Sequence, residues 1–158
     1  MSVAFTRETD LEATAADLPD RPISPHPNLV TASGLAALDA ALAEARAAYS
    51  EAQMGDVQAD RMAMARATRD LRYYGARRAT AQLIETPGDL ETVQFGTTVT
   101  LDREDGRRQT FRIVGEDEAD PAKGSVSYVS PLAAAVMGKA VGDVALVAGR
   151  EVEVIAIA

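Results

Sequence analysis

The sequence predicts an α+β fold, an N-terminal antiparallel α-helical coiled-coil hairpin followed by a C-terminal antiparallel β-sheet domain with one short helix. Three observations carry the prediction. From Thr31 onward, apolar and small residues recur at spacings of three and four. After Pro87 the period falls to two. Pro and Gly punctuate the places where one pattern gives way to the next.

Residues 1–30 show no sustained period, and Pro22, Pro25 and Pro27 interrupt any helix there, so this segment is expected to be a flexible tail. In the next segment, 31–86, Leu35, Leu38, Leu42, Ala45, Tyr49 and Ala52 form an a/d seam, with neither Gly nor Pro between Leu35 and Met54. Gly55 ends that run. A second helical stretch is expected from Val57 to Glu85, with Met64, Ala67, Leu71, Tyr74 and Ala81 on its seam and Pro87-Gly88 as its stop. Two Ala-rich helices joined by a short Gly-containing turn fold back on each other, giving a rod of about 35 Å. Gly75 lies inside the second arm and weakens it by about 1 kcal/mol relative to Ala.

The third segment, 87–158, opens with Val93, Phe95, Thr97, Val99 and Leu101 on one side of a strand. Asp105-Gly106 supplies a hairpin turn, and Phe111, Ile113 and Val114 start the return strand. A polar loop, GEDEADPAKG, leads to a third strand around Val126 to Val129. Ser130-Pro131, LAAAVM and Gly138 then read as helix cap, first-turn proline, one short helix and terminating glycine. VALVA and EVEVIAI are two closing strands joined around Gly149-Arg150.

Composition bounds the function. The 158 residues, 47% hydrophobic, can bury one modest core with a small appended element. No Cys is present, which excludes disulfides, thiolate metal sites and thiol nucleophiles. The start, MSVAFTRETDLEA, lacks a basic stretch followed by an apolar run, and no window approaches bilayer length, so a soluble, cytoplasmic protein without membrane contact is expected. The net charge of -8 argues against free, sequence-independent nucleic-acid binding, which rests on Lys and Arg neutralising phosphates. Any DNA-binding or RNA-binding role is expected to run through another protein. Acidic excess is concentrated C-terminally, with twelve acids and seven bases in 87–158 against seven of each in Thr31–Thr86. No nucleophile-base constellation, phosphate loop or metal-ligand cluster marks an enzyme in its own right.

The runs FGTTVTLD, FRIVGEDEAD and SVSYVSPLAAAVMGKAVGDVALV, in that order, resemble the C-terminal domain of the GreA/GreB family of transcription elongation factors. VTASGLAALDAAL is similar to the Thr-x-x-Gly-x-x-x-Leu motif that begins the family's coiled coil. The resemblance covers about Val30 to Ile157. It implies an FKBP-like C-terminal domain that docks on RNA polymerase near its secondary channel, and a hairpin whose acidic tip enters that channel and helps the polymerase cleave backtracked RNA.

Here the tip reads MGDVQADR: Asp56 matches the family aspartate, the glutamate position holds Ala59, and Asp60 follows. The hairpin is also shorter than is usual in the family. The resemblance makes Asp56 and Asp60 the tip acids, acting only with the polymerase and sharing a weakly held Mg2+ with it, since magnesium takes one or two carboxylates and keeps its waters. No tightly bound cofactor is expected. The same residues suit an exposed helix N-terminus with no further role, and Glu51 is a third acid near the tip. The resemblance also makes Glu118, Asp120, Ser127, Ser130 and Pro131 partner-binding residues, beside a local reading of turn and helix cap. Arg66, Arg69, Arg72, Arg77 and Arg78 place basic charge along the second arm, facing either solvent or a partner. His26, in the Pro-rich segment, has no motif around it. A monomer is expected, acting as a cofactor of the polymerase and not as an enzyme. Cleavage stimulation and channel occupation without cleavage remain alternatives, as does a coiled-coil interaction protein with another partner.

Overall fold

A computed structural model describes residues 18–56 and 60–158. They form two units. One holds residues 18–25 with Leu38–Thr80, and the other holds His26–Ala37 with Ala81–Ala158.

In the first unit, helices α1 (Ala32–Met54, which begins in the other unit) and α2 (Arg61–Thr80) form the hairpin. Their 23 and 20 residues correspond to about 35 and 30 Å. Leu38, Leu42 and Ala45 of the α1 seam are buried, as are Ala65, Ala67 and Arg77 of α2, while Tyr49, Ala52, Met64, Leu71 and Tyr74 are half-buried. The arms run antiparallel, because Arg78 near the end of α2 pairs with Asp39 near the start of α1.

α2 ends at Thr80, short of the expected Glu85. The backbone beyond it is claimed by another chain segment: Gln82 N–H donates to the Asn28 carbonyl and Ile84 N–H to the Val30 carbonyl, both at 2.9 Å. Strand β1 (Leu29–Val30) therefore pairs in parallel with β2 (Gln82–Leu83). Helix propensity loses to a two-residue ladder that simple periodicity does not display. The expected tail accordingly does not reach Val30. Asn28, Val30 and Thr31 are buried, and the Tyr128 hydroxyl donates to the Pro27 carbonyl.

The second unit is built on five strands in the order β5-β4-β3-β7-β6. β3 (Thr98–Arg103) and β4 (Arg108–Val114) form the hairpin expected at Asp105-Gly106, with Val99 opposite Phe111 and Leu101 opposite Gln109. β7 (Arg150–Ile157) lies antiparallel to β3, with a register shift at Thr100/Leu101, and β6 (Val144–Val147) forms the far edge. β5 (Ser125–Ser127) joins β4 in parallel, so the sheet is mixed where all-antiparallel pairing was expected. The physical reason is the connection. Residues 115–124, including a 3-10 turn at Pro121–Lys123, carry the chain back to the level of Arg112, so that β5 runs alongside the last three residues of β4.

Val93 and Phe95 are buried but precede the strand. Val93 N–H donates to the Lys139 carbonyl and Thr97 Oγ1 to the Gln94 carbonyl, turning the chain before β3 starts. Helix α3 (Pro131–Val136) places Ala133 and Val136 against the sheet. With Val93, Val99, Leu101, Ile113, Val126, Ala145, Val152 and Val154 they form one core cluster.

Candidate functional site

The hairpin tip follows from its two helix ends. Gly55 N–H closes α1 on the Glu51 carbonyl at 3.0 Å, and Asp60 N–H donates to the Asp56 carbonyl at 3.1 Å. Asp60 Oδ1 accepts the Ala63 N–H at 2.9 Å, an N-cap that satisfies one of the free donors of α2. Both tip carboxylates are solvent-exposed. Ala59 lies outside the described residues.

Asp56 and Asp60 stand at one end of an open groove along the hairpin, with a volume of about 720 Å3. Ala41, Ala45, Ala48 and Ala52 of α1 and Ala63 and Ala67 of α2 contribute to it, and Glu44, Glu51 and Asp70 add further acids. Small side chains leave the groove open, and the carboxylates make it acidic. Among the described residues no three His, Cys, Asp or Glu side chains are gathered as a metal site.

The arginines expected along α2 are mostly engaged within the protein. Arg69 pairs with Asp70 at 3.3 Å, Arg72 with Asp20 at 3.2 Å and Arg78 with Asp39, while Arg77 is only 2% exposed. Arg66 is exposed and lines the groove.

Sequence reasoning passed over Arg21. Its guanidinium lies 3.7 Å from the Tyr73 ring centroid and 5.2 Å from that of Tyr74, with Asp70 at 3.7 Å. The Tyr74 hydrogen bond, above all, raises the Arg21 pKa above its ordinary value, against partial desolvation. An Arg-Pro dipeptide offers no periodic signal, and only the Tyr73-Tyr74 pair on a helix hints at a cation's landing place.

In the sheet unit, the five residues expected to meet a partner occupy two adjoining stretches. Glu118 and Asp120 lie in the crossover between β4 and β5, and Ser127, Ser130 and Pro131 run from β5 into α3. Ser127 Oγ accepts the Val129 N–H at 3.2 Å, Ser130 Oγ caps α3 through the Ala133 N–H at 3.2 Å, and Pro131 stands exposed at the first helical position. Asp120 uses its backbone: its N–H donates to Ser125 Oγ at 2.9 Å and its carbonyl accepts from Lys123 and Ser125. Its half-buried carboxylate makes no cap bond to the 3-10 turn. Glu118 differs from the rest. Its side chain is 17% exposed and accepts hydrogen bonds from Thr31 and Ser33 at the start of α1. His26 is exposed. No helix of the described residues is long and apolar enough to cross a membrane.

Residues 88–158 match the family described as "Transcription elongation factor, GreA/GreB, C-term". Transcription elongation factor GreA of Verminephrobacter eiseniae is 37% identical over 125 residues, covering 74% of this chain and 78% of that protein. GreA of Desulfovibrio desulfuricans is 40% identical over 94 residues, covering 56% and 54%, and GreA of Maricaulis maris is 48% identical over 69 residues, covering 42% and 44%. The chain thus spans about half the length of the latter two relatives. Among solved structures, GreA factor homolog 1 (Gfh1) of Thermus thermophilus is 23% identical, covering 84% of this chain and 99% of that one with a TM-score of 0.40.

Proposed function

Because the chain belongs to the GreA/GreB family of transcription elongation factors, we propose that it binds RNA polymerase at its secondary channel and modulates elongation. The observation that carries this reading is the 37% identity over 125 residues with a GreA. That stretch is longer than the C-terminal family match at 88–158 and so takes in sequence before it.

In this reading the sheet unit docks and the hairpin enters the channel. Pro131 is exposed beside the Ser130 cap, and Ser127 and Asp120 adjoin it, so the surface from the crossover to α3 is the docking face. The protein acts as a monomer in the cytoplasm, and nucleic acid is met only through the polymerase. In this reading it is a cofactor of the polymerase active site, and its tip acids serve the polymerase's own chemistry.

Asp56 and Asp60 are the residues that would share a magnesium ion with the polymerase. Asp60 keeps Oδ2 available while Oδ1 caps α2, and both groups are exposed, which suits an ion that takes one or two carboxylates and retains its waters. Such an ion supplies Lewis-acid charge stabilisation. The chain's own contribution is to hold two carboxylates at the end of the helical hairpin. A second reading, channel occupation without cleavage, is favoured by Ala59 standing where the family has a glutamate.

The test is RNA cleavage in a defined backtracked elongation complex with magnesium, comparing the protein with Asp56→Asn and Asp60→Asn. Asn keeps the N-cap of α2 and removes the charge, so lost activity reports the carboxylate and not a frayed helix. Acceleration abolished by these changes establishes a cleavage factor. Displacement of a channel-binding factor without acceleration establishes a channel occupant. The absence of both effects would refute the polymerase reading.

A further inference from the structure

We propose that Glu118 is a positioning residue that fixes the first turn of α1 to the sheet unit, and is not itself a polymerase contact. The proposal rests on the docking reading above for its functional consequence, and on geometry alone for its structural one.

Its carboxylate is consumed inside the protein. Thr31 Oγ1 lies 2.8 Å from Glu118 Oε1 and 2.7 Å from Oε2, and Ser33 Oγ donates to Oε1 at 2.5 Å. Arg112, on β4, holds Nη1 at 3.7 Å from Oε1 and donates to Ser33 Oγ at 3.1 Å. The Thr31 hydroxyl that donates to Glu118 also accepts the Gly34 N–H at 3.0 Å, capping the helix. One acid thus joins β4, the crossover after it and the start of a 23-residue helix, across 87 positions of sequence. Negative charge at a helix N-terminus is favourable in itself.

The neighbouring glycine is part of the device. A Cβ on Gly34 would stand 3.0 Å from Glu118 Oε2 and 3.4 Å from Thr31 Oγ1, so any side chain there crowds the carboxylate against its own donors. This gives a physical reason for the Thr-x-x-Gly spacing at Thr31 and Gly34. The spacing makes a hydroxyl cap and a gap into which a distant carboxylate fits. An acid with its oxygens occupied and its side chain 17% exposed has little left to offer a partner.

A contact residue and a positioning residue differ in what they change. Losing a docking contact raises the concentration needed for half the effect on transcription and leaves the plateau. Losing Glu118 leaves the docking face of Ser127, Ser130 and Pro131 in place, so the midpoint holds while the plateau falls.

The test takes the full chain with Glu118→Ala, Thr31→Val and Thr31→Ser. Hydrogen exchange of the free proteins should show Gly34 to Ala37 exchanging roughly tenfold faster in Glu118→Ala and Thr31→Val, equivalent to about 1.4 kcal/mol of local opening free energy. Amides of Leu101, Ile113 and Val154 should be unchanged. Thr31→Ser, which keeps the hydroxyl, should restore wild-type exchange even if Glu118→Ala does not fold. With polymerase, Glu118→Ala should lower the plateau and not the midpoint. Unchanged exchange at Gly34 to Ala37, faster exchange throughout the sheet, or a shifted midpoint with an unchanged plateau would each overturn the proposal. If wild type itself has no effect on polymerase, the docking reading fails, and exchange still decides the role of Glu118.

Discussion

The Leu29 carbonyl oxygen lies so close to Gly115 that a Cβ built on that glycine would stand 2.2 Å from it. Backbone presses on backbone, and the approach brings β1 against the end of β4. Val30, the next residue, is buried, and its carbonyl accepts the Ile84 N–H. The bare Cα of Gly115 is what admits residues 28–30 to the sheet unit.

Gly115→Ala should therefore push β1 away and destabilise the protein by about 1 to 3 kcal/mol, the range for overpacking a filled site. Urea unfolding followed by far-UV circular dichroism measures it. Gly88, where a Cβ meets nothing within 4 Å, is the control, and Gly88→Ala should be near neutral. Equal effects at the two positions would contradict the close approach.

Leu101 is 0% exposed at the centre of the core cluster, and Leu146 is 66% exposed on the edge strand β6. Leu101→Ala should cost about 2 to 5 kcal/mol through lost transfer energy and a residual cavity. Leu146→Ala should stay within about 0.5 kcal/mol. Thermal or denaturant midpoints of both variants check the contrast.

Asp105 accepts the Arg107 N–H at 3.0 Å and its guanidinium at 2.7 Å. Those bonds, the backbone one first, hold its carboxyl below the ordinary aspartate value. A depressed folded-state pKa means a contribution present above the unfolded value and lost as pH falls through the folded one. The stability gap between wild type and Asp105→Asn should be widest near neutrality and close in acid. A carboxyl titration by NMR with a midpoint at or above the ordinary value would refute it.

Arg21 over Tyr73 should contribute about 0.5 to 1 kcal/mol, as expected of a partly exposed cation on an aromatic face. Arg21→Ala should lower the melting temperature, and Arg21→Lys should recover only part, since a compact ammonium lacks the planar fork that stacks on a ring. Ring-proton NMR signals of Tyr73 and Tyr74 during melting report the loss at the site itself.

The helix caps at the candidate site were legible in sequence, for local reasons. Asp60 caps α2 and Ser130 caps α3 because a short polar side chain before a helix reaches its own free N–H groups within a few residues. The Asp105-Gly106 turn is local in the same way, with Gly106 at a φ of 82°. The seam of Leu38, Leu42 and Ala45 was readable because helical periodicity repeats every few residues. Resemblance to a family carried the expected partner-binding residues, and it placed Glu118 among them without showing what its carboxylate touches.

Tertiary structure decided what depends on segments far apart in the chain. The end of α2 at Thr80 is set by Asn28 and Val30, some fifty positions earlier, and no propensity within 81–86 announces them. The parallel placement of β5 depends on the path of residues 115–124, and Glu118 bonds Thr31 and Ser33 across more than eighty positions. By itself the sequence determined the hairpin, the β hairpin, the caps and the identity of the core, since each arises from interactions within about one turn or one pair of strands. Strand order, the true end of α2 and the partners of Glu118 and Arg21 were decided by folding. Those contacts must recover the entropy of closing long loops, and only a completed core offers enough interactions at once to do so.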